Sequence, residues 1–157
     1  MSADNIVNII CAFIGAIIGG TITFVTEWKF RKNDDKAHKN HASSLLYYDL
    51  KSIQTYLSEE RGSVNIRYST EWQDILAQCY FLKSEEVEYI YKIYDKVYNY
   101  NFYYEKKSDS GISFKKEDIA EYKSLKELIF DCSKKYINGD AYNEQYNKIM
   151  NKLQVKK

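Results

Sequence analysis

The 157-residue chain contains no proline, two histidines, three cysteines, three arginines and six glycines. Without proline, nothing sharply interrupts a helix, and strand-type alternation is rare, so long helical elements are expected. The two histidines, His38 and His41, both precede residue 42. That excludes the paired Glu and Glu-x-x-His pattern of a di-iron bundle. Cys11, Cys79 and Cys132 have no metal-type spacing, and their odd number reads as reduced thiols rather than a disulfide framework. Neither a glycine-rich phosphate loop nor an HExxH motif occurs. A formal net charge of +1 supplies no strong field for nucleic acid. No motif dictates a reaction, so a non-enzymatic protein with no cofactor and no metal is expected.

What the chain does have is one long apolar run. Residues 6–25 read IVNIICAFIGAIIGGTITFV, with no charge. As a helix, such a run spans roughly 30 Å, the thickness of a bilayer's hydrocarbon core. A single transmembrane helix is therefore expected within residues 1–30. Only Asp4 and the amino terminus carry charge before the run, whereas Lys29, Arg31, Lys32, Lys36 and Lys39 follow it. This basic excess places the carboxyl-terminal side in the cytoplasm and the N-terminus outside. Trp28 and Phe30 fall at the inner boundary. A cleaved signal would need a basic n-region and a shorter core. A lipidated Cys11 would need a small residue where Ile10 stands.

Small residues recur every fourth position within the run. One row is Cys11, Gly15, Gly19 and Thr23, and the next is Ala12, Ala16 and Gly20. That spacing lets two helix backbones approach closely, which suits a homo-oligomer or a partner membrane protein. The alternative is the ordinary abundance of Gly and Ala in membrane helices.

Residues 31–41 form a basic juxtamembrane segment, and residues 42–157 amount to one all-α cytoplasmic domain of four or five amphipathic helices. The first covers 37–60, with a stripe of Ala42, Leu46, Leu50, Ile53 and Leu57, widened by Leu45 and Tyr56. Residues 63–69 are weakly alternating. A second helix opens at Thr70, with Gln73 completing a capping box and Trp72, Ile75, Leu76 and Cys79 inward. Ser84 caps a third helix reaching about Tyr104, with Val87, Ile90, Tyr91, Tyr94, Val97, Tyr98 and Asn101 on one side. After a polar loop over 105–113, a fourth covers 116–137 through Ile119, Tyr122, Leu125, Ile129, Cys132 and Tyr136. Asn138 and Gly139 signal its end, and Asp140 caps a fifth carrying Tyr142, Tyr146, Ile149 and Leu153.

Candidate chemistry is sparse. Asp34, His38 and His41 share helical spacing, a conceivable metal face, but a solvated juxtamembrane segment is the simpler reading. Cys79 and Cys132 fall on apolar stripes, which points to burial rather than nucleophilicity. Glu85, Glu86 and Glu88 read as a solvated face near a helix N-terminus. The sixteen tyrosines suggest stacking platforms for single-stranded nucleic acid. Yet Lys, Asn, Ile and Tyr are abundant together, as AT-rich codons would make them, and no direct nucleic-acid binding is expected.

The order of parts carries a resemblance: an N-terminal anchor, then WKFRKNDDKAHKNHASSLLYYDLKSI, then YIYKIYDKVYNYNFYY. In this layout the chain resembles the prophage-encoded superinfection-exclusion membrane proteins of lactococci and related low-GC bacteria. The resemblance implies phage resistance: a protein at the host membrane that stops incoming phage DNA after normal adsorption. It brings no active-site residues. Two alternatives stay open, a holin-like or toxin-like membrane-disrupting protein and a membrane-bound enzyme with an unrecognised acidic site.

Overall fold

The computed structural model describes residues 3–58, 65–111, 113–132 and 141–154, with side-chain surroundings described from residue 15 onward. Among the described residues five α-helices follow in order: α1 (Ala3–Ser58), α2 (Trp72–Ala77), α3 (Ser84–Asp109), α4 (Ala120–Ile129) and α5 (Glu144–Leu153). A single 3-10 turn at Lys116–Asp118 precedes α4. No strand occurs among the described residues, and one isolated antiparallel bridge joins Phe130 to Tyr142. The chain divides into two units, Met1–Lys39 and Asn40–Lys157. Helix α1 contributes to both, since no glycine or proline lies between Gly20 and Gly62 to end it.

In the second unit, α1 turns the stripe Ala42, Leu46, Leu50, Ile53 and Leu57 inward, and all five are fully buried. They pack in one hydrophobic cluster with Ile90, Ile93 and Val97 of α3, Leu125 and Ile129 of α4, and Ile149 and Leu153 of α5. Tyrosines complete this core with their hydroxyls bonded inside it. The Tyr146 hydroxyl donates to the Leu50 carbonyl at 3.2 Å, Tyr89 donates to Leu128, and the Tyr56 and Tyr100 hydroxyls lie 2.9 Å apart. Burial pushes the Tyr89 hydroxyl up to about 12 and raises Tyr94, Tyr100 and Tyr146 further, so these groups remain neutral donors.

The stretch entering α2 is held without a strand partner. Asn101 on α3 accepts from Ile66 N at 2.8 Å and donates back to Ile66 O at 2.9 Å. Three residues on, Ser69 N donates to both Asp49 carboxylate oxygens, at 3.0 and 3.1 Å. Two side chains thus satisfy backbone groups that a ladder would otherwise serve.

Several sequence expectations need correction. Leu45 is 42 % exposed. Helix α2 starts at Trp72, and the Glu71 N–H is met by the Ser69 hydroxyl rather than by a Thr70 capping box. Helix α3 begins at Ser84 itself and runs to Asp109, through most of the expected polar loop. Its last turn carries Lys106 and Lys107, which favour the negative end of the dipole. Its buried face includes Tyr89, Ile93 and Tyr100, while Tyr91 and Tyr98 are exposed. Helix α4 stops at Ile129, and Phe130 is extended (φ −112°, ψ 148°). That break turns Cys132 out to solvent. Asn143 caps α5 by accepting from Gln145 N; Tyr136, Asn138, Gly139 and Asp140 lie outside the described residues.

Leu50→Asp or Ile129→Asp should abolish cooperative unfolding, because each buries an unpaired carboxylate at a fully covered position, costing several kcal/mol or about the whole stability of such a domain. Tyr48→Asp, at a site 70 % exposed, should shift stability by no more than about 0.5 kcal/mol. Thermal melts followed by circular dichroism distinguish these outcomes.

Candidate functional site

Within the first unit, the described side chains of residues 15–38 are all exposed. Ile17, Ile18, Ile22, Phe24, Val25, Trp28 and Phe30 are 49–70 % exposed. At about 3.6 residues per turn they occupy most of the circumference instead of one stripe. Gly15, Ala16, Gly19 and Gly20 are exposed among them, and a Cβ added at any of the three glycines would meet no atom within 4 Å. The side chains of Cys11 and Ala12 lie outside the described residues. Hydroxyls on this helix are satisfied by its own backbone. Thr21 donates to Ile17 O, Thr23 to Gly19 O at 3.0 Å, and Thr26 to Ile22 O at 2.7 Å. Among the described residues no helix is long and apolar enough to cross a membrane; residues 6–14 of the apolar run have no described side chains.

Of the basic cluster, Lys29, Arg31, Lys32 and Lys36 are exposed and Lys39 is half-buried. The Lys32 ammonium sits 5.3 Å from the centre of the Trp28 ring, one helical turn away. His38 and His41 are both exposed. No group of His, Cys, Asp or Glu among the described residues is arranged to hold a metal ion. Cys79 is buried.

In the second unit the sequence missed two polar centres. Glu86, expected on a solvated face, is only 5 % exposed. It accepts from the Lys152 ammonium at 2.6 Å and from Lys83 N at 2.9 Å. Burial alone would push its carboxyl up; the Lys152 and Lys83 contacts outweigh that and hold it below its ordinary 4.5. Lys152 lies 66 residues away, so no local pattern marks the pair. The other centre is Asp49, which accepts from the Tyr94 hydroxyl at 2.6 Å as well as from Ser69 N. Burial raises its carboxyl, more than these two bonds lower it.

Above Asp49 lies a cleft of about 270 Å³ between the start of α2 and the exposed side of α3. Trp72 stacks on Tyr94 with ring centres 4.2 Å apart and planes 5° from parallel. Tyr91 meets Trp72 edge-on, at 4.8 Å and 74°. Tyr68 and Tyr98 complete the aromatic lining, and Asp95 and Gln73 supply its polar groups.

The two acids respond oppositely to pH. Glu86, with its lowered value, stabilises the fold fully above the ordinary carboxylate range, and that contribution disappears as pH falls through its folded value. Asp49, with its raised value, favours the fold when protonated, and that contribution is lost as pH rises through its folded value. Glu86→Gln should therefore flatten the loss of stability below about pH 4.5. Lys152→Met should cost about 1–3 kcal/mol at pH 7, because it strands a buried carboxylate that keeps only its backbone donor. Urea melts at pH 7 and pH 3.5 measure both effects.

No family model, no curated protein and no solved structure matches the chain.

Proposed function

We propose that the chain is a membrane-anchored, non-enzymatic interaction protein, and that its activity is superinfection exclusion: blocking entry of incoming phage DNA at the host plasma membrane. The observation that carries the anchor is the helix segment Ile17–Phe30, whose large apolar side chains are exposed and spread over most of its circumference. Exposed to water, those side chains would each forfeit about 1.5–3 kcal/mol of burial. In hydrocarbon they cost nothing, and the internally bonded threonines leave few polar groups unsatisfied there. The charge-free run 6–25 has the length to cross, with Lys29, Arg31, Lys32, Lys36 and Lys39 on the cytoplasmic side. The phage connection rests on the resemblance in layout. Contact with a host or phage membrane protein, or with a second copy, runs along the Gly15–Gly19 and Ala12–Ala16–Gly20 rows.

A cytoplasm-dependent reporter fused after Lys157 should be active, and a reporter that works only outside the cell should be silent there. Expressed in a susceptible host, the chain should protect against some phages with normal adsorption, blocked DNA entry and unimpaired growth. Gly15→Leu with Gly19→Leu should insert normally, since both sites are open in the single chain, and should lower protection by preventing close helix approach. Full protection by that variant removes the helix-contact mechanism. Growth arrest with collapse of the membrane potential, and no protection, replaces exclusion by holin-like disruption.

A further inference from the structure

We infer that the aromatic cleft over Asp49 receives an arginine side chain from a partner protein, its guanidinium seated against the rings and paired with Asp95. The inference is independent of the anchor, because the cleft lies wholly within the second unit.

The lining is five aromatic rings and one carboxylate, with no lysine or arginine. Aromatic faces carry negative potential, and a carboxylate beside them adds a full negative charge, so the cleft complements a cation and repels an anion. Two cations next to lining residues in sequence, Lys92 and Arg67, are placed elsewhere. Lys92 pairs with Glu88 at 2.7 Å, and Arg67 lines a separate groove with Tyr48 and Lys51. Behind the rings, the Tyr94 hydroxyl donates to the Asp49 carboxylate at 2.6 Å.

Shape selects the kind of cation. The Trp72 and Tyr91 planes stand 74° apart and form a corner. A flat guanidinium can lie along one wall while its N–H fork points to a carboxylate, whereas an ammonium is a compact, strongly hydrated charge with no stacking face. Asp95 is exposed and accepts one bond, from Asn99 Nδ2 at 3.2 Å. A carboxylate has about four acceptor positions, so capacity for a fork remains. The rings are held by the fold: Tyr94 is fully buried, and its hydroxyl and the Ser69 backbone share Asp49. The site is thus ordered before a partner arrives, which lowers the cost of binding.

The test uses the full-length chain in non-ionic detergent with Trp28→Phe, leaving Trp72 as the only tryptophan. Blocked Gly-Arg-Gly is titrated against its citrulline and lysine counterparts and tetramethylammonium while Trp72 emission is read. The arginine peptide should give a saturable change, with citrulline, its neutral isostere, binding roughly fivefold or more weaker. Asp95→Asn, at an exposed site, should weaken the arginine peptide roughly three- to tenfold without altering the melting curve. Tyr98→Leu should weaken it in the same range. Equal binding of citrulline and arginine, tighter binding of lysine or tetramethylammonium, or no saturable response up to about 10 mM would each overturn the inference.

Discussion

The whole of the second unit depends on one helix face. Ala42, Leu46, Leu50, Ile53 and Leu57 repeat at steps of four, four, three and four, and every one is buried in one cluster with residues of α3, α4 and α5. Each leucine or isoleucine removed from water on that face is worth about 1.5–3 kcal/mol, a large share of the net stability of a small domain. Upstream, the same helix carries apolar side chains on most of its circumference, and those described are exposed. A stripe seeks a core; an all-round apolar surface seeks an apolar medium or other helices. The change from one pattern to the other along α1 coincides with the division of the chain into two units.

Polar side chains then specify what the apolar face cannot. Asn101 and Asp49 fasten the stretch around Ile66 and Ser69 to α3 and α1. Tyr89 joins α3 to the end of α4, and Tyr146 joins α5 to α1. Lys152 joins α5 to the start of α3 through Glu86. Hydrophobic burial is non-directional and tolerates many registers, whereas these bonds are satisfied in only one. Tyrosine suits this role because the ring fills core volume while the hydroxyl finds a partner. The abundance of tyrosine therefore has a structural use in this domain, whatever codon bias supplied it.

How much of this was legible depended on the residue type carrying the signal. The α1 stripe was plain because its aliphatic residues are set among polar ones. The register of α3 was not, because tyrosines lie all round that helix and an amphipathic ring does not declare its face; Ile90, Ile93 and Val97 mark the centre better. The extension of α3 to Asp109 was hidden by a charged sequence that forms helix without burying anything. Glu86 was misread because its partner lies on the last described helix. The aromatic cleft was invisible for the same reason: Trp72 and Tyr94 were each assigned to an apolar face, and only the fold stacks them and leaves Tyr91 and Tyr98 open beside Asp95.

Placement of the upstream helix in lipid is measured most directly by depth-dependent quenching of Trp28. The full-length chain with Trp72→Phe would be reconstituted into vesicles containing lipids brominated at defined positions along the acyl chain. Trp28 follows the charge-free run by three residues, and the Lys32 ammonium rests over its ring, so it should lie at the interface. Strong quenching by bromines near the headgroups, fading toward the bilayer centre, is the result expected of a spanning anchor. Emission unaffected by bromine at any depth would contradict it.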